Sequence, residues 1–126
     1  MKRIAAVLAL LLAAAATALA VRHARAPVVT ITYYFIPGCS TCQHTEERIR
    51  RIVAPYGHKV AFRSIDNTSP EGKHAIVRYR FGSHGVVVED DRGAPHVDFV
   101  EADHRVYPDH IASALQRLVP GGAGSS

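Results

Sequence analysis

Val28-Val29-Thr30-Ile31-Thr32-Tyr33-Tyr34-Phe35-Ile36-Pro37-Gly38-Cys39-Ser40-Thr41-Cys42 changes character twice within a short span. Its first eight residues are β-branched or aromatic almost throughout, which predicts a strand buried on both faces. Ile36-Pro37-Gly38 breaks that strand, since proline fixes φ and glycine permits a sharp change of direction. Ser40 followed three residues later by Gln43 fits a capping box, so a helix is expected to start near residue 40. The segment therefore reads as strand, turn and helix, with two cysteines at the helix start.

Downstream, Cys42, Ile49, Ile52, Val53 and Tyr56 recur at helical spacing and mark the buried stripe of that helix, which Pro55 and Gly57 end. Lys59 to Asp66 alternates as a second strand, with Val60, Phe62 and Ile65 as its core positions. Asn67 to Pro70 reads as a loop and Glu71 to Tyr79 as a short helix carrying Ala75, Ile76 and Tyr79. After the irregular Phe81-Gly82-Ser83-His84-Gly85, Val86-Val87-Val88 is a third strand. Asp90-Asp91-Arg92-Gly93 is a turn, and His96 to Ala102 is a fourth strand of period-two alternation. Pro108 opens a last helix with Ile111, Leu115, Leu118 and Val119 along one face. The order is β-α-β-α-β-β-α. The first strand–helix–strand unit should be parallel and the last two strands an antiparallel hairpin. The expected fold class is α/β, a four-stranded mixed sheet with helices on both faces.

Upstream, Met1 to Arg3 carry two positive charges, Ile4 to Val21 run without a charge, and Arg22, His23 and Arg25 close the run. This is the pattern of a secretory signal or of an uncleaved N-terminal membrane anchor. Ala18-Leu19-Ala20 offers a small-residue cleavage site, and both readings stand. Either one sends the remainder out of the cytoplasm, to the periplasm or another extracytoplasmic space. The domain organisation follows: 1–27 signal peptide or anchor with a short linker, 28–119 a single folded domain, 120–126 a flexible Gly/Ser tail.

The chain carries 15 Lys and Arg against 11 Asp and Glu, and Lys2 and Arg3 belong to the leading segment. The folded part is thus only weakly basic. Only Arg48, Arg50 and Arg51 cluster, on a helix where a solvated face explains them, so nucleic acid is not an expected partner.

Both cysteines of the chain lie in the folded part. A disulfide between them would close a loop too short to add much stability, so chemistry is the better reason for their presence. Three residues apart at a helix start, the two sulfurs lie within disulfide reach. Cys39 falls at the helix N-terminus, where free backbone N–H groups and the macrodipole favour an anion, so its thiol pKa is expected to be lowered. Cys42 lies one turn further on, on the apolar stripe. Cys39 should attack a partner's disulfide and Cys42 should resolve the mixed disulfide; the reverse direction oxidises a dithiol. A structural zinc site needs four ligands, and no second CxxC exists to complete one.

Phe35-x-x-Gly38-Cys39-Ser40-Thr41-Cys42 after a core strand, together with the element order, resembles the thioredoxin-like superfamily over Val28 to Val119. The resemblance implies that fold, a thiol–disulfide oxidoreductase acting on protein thiols or disulfides, and no cofactor; the chain is expected to be a monomer. Three departures stand out. His84 occupies the place of the usual cis-proline before the third strand. Gly38 replaces a common tryptophan. Tyr33 stands where thioredoxin itself has a buried acid, six residues before the first cysteine. His84 has three readings. Protonated, it would stabilise the Cys39 thiolate; with Cys39 and Cys42 it would complete a copper or zinc site; or it is a solvated loop residue. Ser40 and His84 are the expected thiolate environment. A metal-binding module and a redox-inactive interaction domain are the alternative functions. His44 should point away from the pair, and His58, His74, His96, His104 and His110 show no joint spacing.

Overall fold

The structure is a computed structural model that describes residues 7, 11, 13, 14, 26–90, 96–101 and 108–124, with the backbone alone for 96–101. Most of the apolar leader, positions 91–93 of the turn expected at Asp90–Gly93, and His104 lie outside the described residues; Asp90 itself is the last residue of a strand. Among the described residues no helix is long and apolar enough to cross a membrane.

Strand β1 (Val29–Phe35) is central. It pairs in parallel with β2 (Val60–Asp66), from Val29 opposite Val60 to Phe35 opposite Asp66. Its other edge pairs antiparallel with β3 (Gly85–Asp90), from Val29 opposite Asp90 to Tyr34 opposite Gly85. Strand β4 (His96–Glu101) continues the sheet antiparallel to β3, with a bulge at Val88/Glu89, so the order is β2-β1-β3-β4. A strand flanked on both edges and covered on both faces needs the near-continuous apolar run that β1 has.

Strand parity divides its side chains. Val29, Ile31 and Tyr33 join Val86 and Val88 under helices α1 (Ser40–Val53) and α3 (Pro108–Leu118), which contribute Ile49, Val53, Ile111, Ala114, Leu115 and Leu118. Tyr34 and Val87 face the other way, with Ala75 of α2 (Pro70–Tyr79) and Phe81. Phe62 and Ile65 of β2 are half-buried, one against each of these clusters. The result is a mixed sheet with helices on both faces.

Two helix boundaries differ from the sequence reading. Helix α2 begins at Pro70, because Ser69 is its N-cap and accepts from the Gly72 amide at 3.0 Å, which makes proline the first helical residue. Helix α1 passes into a 3₁₀ segment (Ala54–Lys59) instead of stopping at Pro55, and Gly57 takes a positive φ of 54° within it. Gly72 packs so closely on the end of β2 that a Cβ there would overlap Asp66 O and Asn67 Cα.

Three connections meet at one end of the sheet. The Asn67 amide donates to Phe35 O at 2.9 Å, and its side-chain amide donates to Ser83 O. The loop after β2 thereby ties the C-terminal end of β1 to the segment entering β3.

Candidate dithiol site

The chain leaves β1 at Phe35 and must turn sharply to start α1. Cys39 N donates to Ile36 O at 3.2 Å to close this turn, and Gly38 adopts φ 76° inside it. Only glycine takes that conformation without strain, which explains Gly38 ahead of the first cysteine.

Cys39 is itself the helix N-cap. Its backbone is extended (φ −83°, ψ 111°) and its Sγ accepts from the Cys42 amide at 3.2 Å. The capping role therefore belongs to a sulfur, whereas the sequence reading gave it to Ser40. Ser40 is the first helical residue and is exposed; the donors at the Cys39 sulfur are the backbone amides of Cys42 and Thr41. His44 is also exposed, and its Nδ1 contacts Ser40 O at 2.9 Å.

Both thiols are free; Cys39 is half-exposed and Cys42 is 4% exposed. A shallow cleft beside them is lined by Phe35, Ile36, Gly38, Gln43 and Glu46. Glu46 is committed within it to Arg50, at 2.5 Å, and to the Ser64 hydroxyl, at 2.9 Å.

The charge distribution over the pair corrects the expectation for Cys39. Its thiol is pushed up, because it donates to the Cys42 sulfur; the Cys42 amide opposes this with less effect. Burial pushes the Cys42 thiol up, but hydrogen bonds from the Cys39 thiol, the Ile36 backbone amide and the Tyr33 hydroxyl outweigh it, and the net direction is down. The helix N-terminus does favour an anion here. The two thiols titrate as a pair, and the contact between them pushes Cys39 up and Cys42 down.

His84 is 4% exposed, so the solvated-loop reading is overturned. Its Nδ1 lies 3.0 Å from Ser83 Oγ. Nor is it drawn into a metal site: among the described residues no group of three or more His, Cys, Asp or Glu side chains could hold an ion. That finding disfavours the copper or zinc alternative.

Sequence reasoning missed the role of Tyr33. It noted the residue only as a departure from a pattern, yet its side chain is 1% exposed and lies in the same core cluster as Cys42. Burial, then the Cys42 partner, holds its proton well above the ordinary phenol range. The alternation of β1 was the available signal, since Tyr33 shares parity with Val29 and Ile31.

No family profile matches the sequence, and no curated protein matches it. Solved structures do resemble it. An uncharacterized thioredoxin-like protein from Clostridium perfringens superimposes with a TM-score of 0.61 at 13% identity, over 84% of this chain and 82% of that one. A thioredoxin from Thermus thermophilus gives a TM-score of 0.55 at 23% identity, covering 84% and 83%. Mitochondrial thioredoxin 3 from Saccharomyces cerevisiae gives 0.57 at 14% identity, covering 75% and 82%. At such identities the likeness is one of fold. The chain has an α/β thioredoxin-like fold, with a cysteine pair of CxxC spacing at the start of its first described full helix.

Proposed function

We propose that this protein is an exported thiol–disulfide oxidoreductase acting on the cysteines of other proteins. One observation carries the reading: the two sulfurs are adjacent but unequal, Cys39 half-exposed at a helix N-terminus and Cys42 buried behind it. A sulfur meant to meet a partner must be reachable, and a sulfur meant to resolve must be shielded from every partner but the first.

The steps follow from that arrangement. With the shared proton passed inward, the Cys39 thiolate attacks one sulfur of a partner disulfide. The partner's S–S bond breaks, its second sulfur leaves as a thiolate and takes up a proton. The Cys42 thiolate then attacks the Cys39 sulfur of the mixed disulfide, and the partner's first sulfur leaves and is protonated. Two electrons have moved to the partner, whose two thiols have taken one proton from the pair and one from solvent, and Cys39–Cys42 is now a disulfide. Run backwards, the same steps oxidise a partner dithiol. The basic start and apolar run of the leader support export, with either release or tethering at the membrane.

Reduction of insulin disulfides, or rearrangement of a scrambled substrate, tests the reading. The wild-type protein should be active and Cys39→Ser inactive, while Cys42→Ser should accumulate a mixed disulfide with its substrate. Equal inactivity of wild type and Cys39→Ser would sink it.

A further inference from the structure

Tyr33 brings a hydroxyl into a layer whose other buried members, Cys42 apart, are aliphatic. Its neighbours of like parity on β1 are Val29 and Ile31, and its ring lies in the same core cluster as Ile49, Val53, Leu115 and Cys42. A phenol buried to this extent must find a partner for its hydroxyl or lose stability. Cys42 is buried in that same cluster, and the phenol is coupled first to the inner sulfur and more weakly to the Thr45 hydroxyl. The ionisable groups whose charge it feels are Cys42 and Cys39, and Thr45 lies beside it, with its own hydroxyl donating to Thr41 O at 2.9 Å.

We infer that Tyr33 is a positioning residue for the dithiol, a fixed hydrogen-bond donor that holds the Cys42 sulfur and stabilises the reduced pair against the disulfide. The inference rests on the redox reading above. A carboxyl group in this place could take a proton from Cys42 and return it. The phenol cannot, because burial and the adjacent sulfur keep its own proton in place. It therefore acts only by donating. A thiolate gains more from a donor than a disulfide sulfur does, so the donor favours the dithiol and makes the pair a stronger oxidant. It also makes Cys42 a better leaving group whenever the Cys39–Cys42 disulfide is opened at Cys39.

Tyr33→Phe keeps the ring and removes only the hydroxyl. Wild type and variant are equilibrated with defined mixtures of reduced and oxidised glutathione, and the disulfide fraction is read by alkylation and mass spectrometry. The equilibrium should move about tenfold toward the disulfide, which is about 30 mV for a two-electron couple. The pH at which the first thiolate forms, followed by ultraviolet absorbance, should rise with it. A folded variant with less than a twofold shift and an unchanged thiolate titration overturns the inference. A wild-type protein that forms no Cys39–Cys42 disulfide in any mixture overturns the redox reading instead. If Tyr33→Phe does not fold, the wild type labelled at the tyrosine Cζ carbons decides. The Tyr33 resonance should move between dithiol and disulfide forms by more than that of Tyr34, and equal movement overturns the inference.

Discussion

Tyr33 and Tyr34 are adjacent in sequence and belong to different worlds. Tyr33 enters the face closed by α1 and α3, where aliphatic side chains surround it and its hydroxyl meets a sulfur. Tyr34 enters the face closed by α2, where its ring tilts against Phe81 at a centroid distance of 5.3 Å. Phe81 in turn stacks on Tyr79 at 6.3 Å, and the Tyr79 hydroxyl donates to Glu89 at 2.8 Å. Tyr34 has burial and then the charges of Glu71 and Glu89 to raise its pKa, but no nucleophile. The same side chain thus packs among aromatic rings on one face and beside the cysteine pair on the other. Strand parity makes the division, and a shift of one residue in β1 would exchange the roles.

The largest effect should come from breaking the aliphatic face. Leu115 is fully buried at its centre, and Leu115→Ala should lower unfolding stability by about 2–5 kcal/mol, measured by urea denaturation. The other face should respond less. Gly72→Ala forces the start of α2 away from Asp66 and Asn67, at a cost of about 1–3 kcal/mol in the same experiment. A larger loss from Gly72→Ala than from Leu115→Ala would reverse the ranking of the two faces.

Tyr34→Phe sharpens the contrast chemically. It should change the glutathione equilibrium less than twofold, where Tyr33→Phe moves it about tenfold. The smallest effect should be in alkali. The Tyr79 phenol is pushed up to about 12 by burial and by its hydrogen bond to Glu89. Folding therefore holds its proton more tightly than the unfolded chain does. The stability this contributes is complete below the ordinary phenol range near pH 10 and lost as pH rises through about 12. Tyr79→Phe should flatten that decline in a pH series of melting temperatures; an unchanged decline would mean the Tyr79–Glu89 bond does not couple to folding.

Much of the architecture was legible in short-range pattern. The β-branched run of β1, the Pro37-Gly38 break and the helical spacing of Cys42, Ile49 and Val53 placed the strand, turn and helix that present the dithiol. Helix α2 was displaced by a residue because Ser69 outcompetes the loop reading as N-cap. His84 was illegible, since Phe81 to Gly85 has no periodicity from which burial could be read. The Cys39 direction was misjudged for a different reason. Helix-terminus electrostatics is a local argument and counts one sulfur, whereas the proton is divided between two.

Composition, periodicity and spacing by themselves determined the α/β class and the cysteine pair at a helix start, because these depend on residues within a few positions of one another. The opposed directions of the two thiols, the burial of Tyr33 in one cluster with Cys42, and the burial of His84 apart from any metal-binding group among the described residues were decided only by tertiary structure. Burial and hydrogen-bond partners are set by what the sheet and its covering helices bring together, and no window along the chain contains that information.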